Sequence, residues 1–158
     1  MGLVGKFDNL CVLRSFSKSF SLAGLRIGYL AGPKALMEEL MKAKDSYNVN
    51  RLSLAAAAAA LDDYAYMAAN VEKVIETRKN LIEQLDGLGF RTTPSQANFV
   101  WTKAPSPGAG AIYRALKEQK ILVRHWERPS MKDYLRISVG TPEEIDTLMR
   151  ALRQITGK

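Results

Sequence analysis

The run Ser15-Phe16-Ser17-Lys18-Ser19-Phe20-Ser21-Leu22-Ala23-Gly24-Leu25-Arg26-Ile27-Gly28-Tyr29 holds the residue types best suited to chemistry. It lies between two apolar runs, residues 9–14 and 25–31, that read as buried strands. Strand ends are where α/β folds place their ligands. A lysine there, near apolar groups and near Arg26, is pushed toward the neutral amine, which can add to a carbonyl. Ser15 and Ser17 offer hydroxyls and Arg26 a bidentate cation, the donors that a phosphate needs. A solvated loop lysine is the competing reading, and spacing alone puts it ahead.

Three more residues invite a functional reading. Arg124 and Arg136 each sit beside apolar strand residues. A guanidinium in such a place binds a carboxylate or phosphate, or it makes a structural ion pair with Glu or Asp. Asn98 is equally a site residue or the end of a turn. The lone histidine, His125, has no cysteine or second histidine near it, which argues against a zinc site, and no metal is expected.

The elements that must position these residues follow from periodicity and punctuation. Gly32-Pro33 closes the second strand, and Leu36, Met37, Leu40 and Met41 recur at helical spacing over residues 34–44. Tyr47-Asn48-Val49-Asn50 breaks that pattern. Ser53 is placed to cap a new helix that contains the six alanines Ala55 to Ala60. A long helix over 63–85 carries Val71, Val74, Ile75, Leu81, Ile82 and Leu85, and Gly87 and Gly89 end it. Shorter elements follow: strands near 91–93, 97–102, 121–126 and 134–139, and a helix ending near 118. Thr141-Pro142-Glu143-Glu144 starts a last helix that runs to about 155. The order is α/β first and α+β second. Two strands do not make a stable sheet alone, so the first part is expected to follow missing chain or to pack on another subunit.

Composition narrows the classes. The chain has 158 residues, 47% hydrophobic and 25% charged, the balance of a globular protein. The net charge of +7 is spread along the chain without a basic block or interleaved aromatics, which argues against nucleic-acid binding. The single cysteine, Cys11, excludes a disulfide framework and suits a reducing cytoplasm. No apolar stretch reaches the roughly 18 residues needed to span a membrane. The first residues lack the apolar region of a signal peptide and the pattern for myristoylation.

The lysine segment is similar, residue for residue, to the motif Ser-x-Ser-Lys followed by Gly-Leu-Arg-x-Gly-Tyr of fold-type I aminotransferases, which use pyridoxal 5'-phosphate (PLP). The similarity continues through Tyr47-Asn48-Val49-Asn50, Ser95-Gln96-Ala97-Asn98-Phe99-Val100, Ile121-Leu122-Val123-Arg124 and Tyr134-Leu135-Arg136-Ile137-Ser138-Val139-Gly140-Thr141. Order and spacing most resemble the histidinol-phosphate aminotransferases. The resemblance implies an α/β chain in which residues 1–62 end the large PLP-binding domain and 63–158 form a small C-terminal α+β domain.

It also implies roles. Lys18 would form the Schiff base with PLP and then serve as general base and acid. Ser17 and Arg26, with Ser15 weaker, would hold the cofactor phosphate. Arg136 would clamp the substrate anion, Arg124 would help hold a substrate phosphate, and Asn98 would lie beside the site. The substrates would be a phosphorylated amino compound and 2-oxoglutarate or glutamate, and the intact enzyme a cytoplasmic homodimer. The family's aspartate to the pyridine nitrogen, its tyrosine, its stacking aromatic and its phosphate loop all precede the lysine. The chain is therefore expected to carry half of a site and to transaminate very slowly alone. A non-catalytic interaction domain, a threonine-phosphate decarboxylase and an aromatic aminotransferase remain the alternatives.

Overall fold

The computed structural model describes residues 2–158, which divide into two compact units, one ending at Asn70 and the other spanning 71–158. The division falls inside a long helix, past the 62/63 boundary read from the sequence.

In the first unit, β1 (Val12–Ser15) pairs antiparallel with β2 (Gly28–Ala31), Ser15 opposite Gly28. Both strands are shorter than their apolar runs. The second loses its start because Ala23–Leu25 wind into a single 3-10 turn that Arg26 closes with φ 52°. Phe16, Ile27 and Ala57 form a small buried core, with Phe20, Leu22 and Leu25 packed against it. The helices α1 (Lys34–Ala43) and α2 (Arg51–Asp62) follow. The cap of α2 is Asn50, not Ser53: the Asn50 side chain accepts the Ser53 backbone N–H at 2.9 Å. A helix starting two residues before Ser53 leaves that serine inside its first turn, where capping is impossible.

Helix α3 (Tyr64–Gly87) crosses the division, and its C-terminal part opens the second unit. There a four-stranded antiparallel sheet runs in the order β3-β4-β6-β5, with β3 at Arg91–Thr93, β4 at Phe99–Lys103, β5 at Arg124–His125 and β6 at Tyr134–Ser138. One face is buried: Val100, Leu135 and Ile137 meet Leu81 and Leu85 of α3, Ile112 and Leu116 of α4 (Ala109–Glu118), and Met149 and Leu152 of α5 (Pro142–Thr156). Thr102, also fully buried, is satisfied across the strand pair by Thr92, oxygen to oxygen 3.0 Å. Only two residues of the 121–126 run are strand, because Ile121 bonds back to Leu116 and Leu122 is left exposed.

The start of α5 matches its sequence signature. The Thr141 hydroxyl accepts the Glu144 N–H, and the Glu144 carboxylate accepts the Thr141 N–H at 2.8 Å. Replacing Thr141 with Ala removes one half of this reciprocal cap and should cost ~1 kcal/mol of stability, read from chemical unfolding.

Candidate active site

In the first unit, Lys18 sits in the loop between β1 and the 3-10 turn. Backbone bonds fold this loop tightly: Ser21 N–H to Lys18 O at 3.0 Å, Leu22 N–H to Phe16 O at 3.1 Å and Phe16 N–H to Ile27 O at 3.2 Å. Phe16 and Ile27 anchor the loop from below, while Ser15, Lys18 and Arg26 are exposed and Ser17 is half-buried. Lys18, expected from the sequence to lie near apolar groups, is exposed in this loop. The apolar residues around it turn into the small core and the lysine turns out.

The donor set nevertheless fits a phosphorylated carbonyl cofactor. The Ser15 hydroxyl accepts the Ser17 N–H at 3.0 Å and keeps its own proton to donate. Arg26 spends one N–H on Ala23 O, at 3.1 Å, which fixes its guanidinium and leaves other N–H groups unspent. An amine, hydroxyls and a guanidinium thus share one short, cross-braced loop.

Two side features hold that loop in shape. A Cβ on Gly28 would lie 2.6 Å from the Arg14 carbonyl oxygen, a backbone atom that cannot yield. Gly28→Ala should therefore push β2 off β1 and cost roughly 1–3 kcal/mol, seen as a lower unfolding midpoint. Ser53, which sequence reasoning assigned to capping, is fully buried and donates its hydroxyl to Leu25 O at 3.0 Å. It ties α2 to the turn that presents Arg26. Nothing local in the sequence signals this bond, since its partners are 28 residues apart.

In the second unit the open face of the sheet carries the other candidates. Arg124 and Arg136 are register partners on β5 and β6, and Arg136 is also the partner of Trp101 on β4. Direct partners in an antiparallel pair point to the same face, with Cβ atoms about 5 Å apart. Arg136 is exposed between buried Leu135 and Ile137, so this face is the one away from the core. Among the described residues, no carboxylate pairs with either guanidinium. The ion-pair alternative for these arginines is thus not realised. Two like charges held side by side repel one another, and an anion between them removes that cost.

Sequence reasoning missed what lies beneath them. The Arg136 guanidinium carbon sits 4.8 Å from the Phe99 ring centre, and that of Arg124 sits 5.1 Å from the Trp126 ring centre. Trp101 packs between Trp126, at 5.5 Å, and Tyr134, stacked at 5.1 Å. The signal was the alternation of Phe99 and Trp101 with buried Val100 and Thr102, but the ring under each arginine is not its register partner: Arg136 pairs with Trp101 and lies over Phe99.

Asn98 is exposed at the end of β4, and its carbonyl accepts the Val139 N–H at 3.0 Å. Its turn is fixed by Arg78, which donates to Ala97 O at 2.6 Å, and by Ser95, whose hydroxyl donates to Phe99 O at 2.6 Å. A cleft of about 480 Å³ is bounded by Leu122, Val123, Ile137, Gly140 and Leu148; none of the candidate residues lines it.

The segment Ser15-Phe16-Ser17-Lys18 that leaves β1 and the segment Arg26-Ile27-Gly28-Tyr29 that enters β2 carry the motif of one family. The chain belongs to the aminotransferase class I and II family, which matches residues 2–152. Among its relatives, Histidinol-phosphate aminotransferase 2 of Dechloromonas aromatica is 45% identical over 160 residues, covering 99% of this chain and 45% of the relative. The Histidinol-phosphate aminotransferase of Synechocystis sp. is 47% identical over 152 residues, covering 96% and 44%. The crystal structure of histidinol-phosphate aminotransferase from Sinorhizobium meliloti in complex with pyridoxal-5'-phosphate superposes with a TM-score of 0.82 at 29% identity, covering 98% of this chain and 42% of that one. The chain therefore spans less than half the length of the curated relatives it matches. Its α/β fold is that of the corresponding part of the fold-type I aminotransferases.

Proposed function

We propose that this chain carries the lysine and arginine part of the active site of a PLP-dependent aminotransferase acting on histidinol phosphate, with 2-oxoglutarate and glutamate as the second substrate pair. The observation that carries the reading is the pair of cross-strand arginines without a carboxylate, in a chain whose Lys18 loop presents an amine beside phosphate donors. The similarity to histidinol-phosphate aminotransferases supports the choice of substrate.

In this reading Ser15, Ser17 and Arg26 bind the cofactor phosphate, and the braced loop keeps the Lys18 backbone close to that anchor. PLP, when bound, supplies a ring that withdraws electrons from the substrate's Cα–H bond. Lys18 Nζ would act as the general base that takes the substrate's Cα proton and as the general acid that gives a proton back in the 1,3-shift. Arg136 orients the substrate through its carboxylate, Arg124 holds the phosphate at the other end and Asn98 lies beside them. Two guanidiniums suit two anionic groups on one small substrate. Residues 1–62 serve as the end of the large domain and 63–158 as the small domain. The working enzyme is a cytoplasmic homodimer.

The test is a PLP titration of the chain followed by borohydride reduction and peptide mapping. A reduced pyridoxyl group is expected on Lys18 in clear excess over the other lysines. An even spread over surface lysines would remove the assignment of Lys18. Replacing Ser53 with Ala frees Leu25 O from its buried partner, costs roughly 1–3 kcal/mol and should speed amide hydrogen exchange in the Lys18 loop. Selectivity for Lys18 should fall with it.

A further inference from the structure

We infer that Phe99 and Trp126 are positioning residues: they seat Arg136 and Arg124 by cation–π contact, in the place where carboxylates would otherwise hold them. The inference rests on the reading above that this face receives the substrate's anionic groups.

A long exposed arginine needs something to fix it before a ligand arrives, because ordering it during binding weakens the binding. The usual device is an acidic partner. That device also neutralises the guanidinium and occupies the N–H groups a ligand needs. Neither Arg124 nor Arg136 has such a partner among the described residues. Each instead lies over an aromatic ring, at 5.1 Å and 4.8 Å, within the range where the ring quadrupole attracts a cation. A ring attracts the flat face of the guanidinium and leaves its edge, where the N–H donors lie, open to an anion.

The rings are themselves held. Trp126 packs on Trp101, and Trp101 stacks on Tyr134 with only 4° between the planes. Phe99 is fixed by strand pairing opposite Ser138, and Ser95 bonds its carbonyl. The chain of contacts Tyr134, Trp101, Trp126, Arg124 sets the first guanidinium, and Phe99 sets the second next to it. The seats are thus rigid, close together and electrically compatible with two cations.

The experiment is titration of the whole chain with inorganic phosphate at low salt, followed by NMR of the arginine side chains. In the parent chain the Arg124 and Arg136 side-chain protons should show upfield ring-current shifts and should move together as phosphate binds. Trp126→Leu and Phe99→Leu should each remove the upfield shift of the arginine above, and each should weaken phosphate binding about 3- to 10-fold. Trp126→Phe should restore most of both, which a general packing role for the larger indole would not do. Unfolding midpoints decide whether a leucine variant has kept its fold, and the ring-current shifts of the parent chain need no variant at all.

The Arg124→Ala, Arg136→Ala double variant separates the two ideas. Made in an Arg26→Ala background, which removes the guanidinium of the Lys18 loop as a competing phosphate site, the double variant is decisive: if it binds phosphate as well as its Arg26→Ala parent, the anion-binding reading itself is wrong. If it loses phosphate while the leucine variants bind normally, the arginines bind anions and the aromatic seats are overturned. Absence of ring-current shifts in the parent chain would overturn the seats as well.

Discussion

Lys18→Ala should abolish selective pyridoxyl labelling of the chain and, in the complete enzyme, lower the transamination rate by at least roughly 100-fold. The size follows from what the residue is asked to do. A positioned proton carrier contributes about 10²–10⁴-fold by itself, and Lys18 is also the group proposed to hold the cofactor's carbonyl carbon. Ser15, Ser17 and Arg26, proposed above to bind the cofactor phosphate, are untouched by the change. The variant should therefore still bind PLP, reversibly and without a borohydride-stable adduct. Lys18→Arg should be as inactive, because a guanidinium stays protonated and cannot take a proton from carbon. Cofactor binding with the rate unchanged would remove Lys18 from the chemistry. Loss of cofactor binding altogether would mean that the phosphate donors are weaker than the loop geometry implies.

The exposure of Lys18 bears on how this result should be read. The residue is exposed, and Phe20, Leu22 and Leu25 around it pack on the Phe16, Ile27 and Ala57 cluster. A reaction confined to Lys18 would then point to proximity to a bound phosphate. Arg26→Ala provides the check. If the phosphate anchor directs the reaction, labelling should fall toward that of other lysines although Lys18 is untouched.

Much of this was legible in the sequence where one residue type has one strong preference. Thr141-Pro142-Glu143-Glu144 forms a capping box because hydroxyl, fixed φ and carboxylate each fit one place only. The alternation of Leu135, Arg136, Ile137 and Ser138 yields a strand with one buried face. The Lys18 loop itself was legible as a motif, and its position between two strands was too. Three things were not. The start of β2 moved because Leu22 to Arg26 found local 3-10 bonds, which compete with extension in ways that hydrophobicity does not reveal. Ser53 was mistaken for a cap because capping preference says only that a hydroxyl wants a partner, not that Leu25 would provide it. The arginine pair required register. A shift of one residue would have put Arg136 in the core, and only the pairing of β4, β5 and β6 sets Arg124 beside it.

That register also makes the other large prediction. Arg136→Ala should raise KM for the amino substrate roughly 10- to 100-fold, since a charge-assisted hydrogen-bonded partner contributes about 1.5–3 kcal/mol. Arg124→Ala should do the same only for substrates that carry a phosphate, and leave an unphosphorylated amino donor such as glutamate nearly untouched. The two arginines face the same way at neighbouring positions, so this split tests whether each serves its own anion. Lysine at either position should recover little, because its point charge cannot make the paired contact and sits less well over Phe99 or Trp126. Removing one arginine also removes the repulsion felt by the other, so stability should rise slightly or stay level while binding is lost. A structural ion pair would give the reverse: stability would fall and KM would hold. Measuring both on the same variants therefore tells an anion site from a structural charge, and the lack of a salt bridge to either guanidinium among the described residues favours the first.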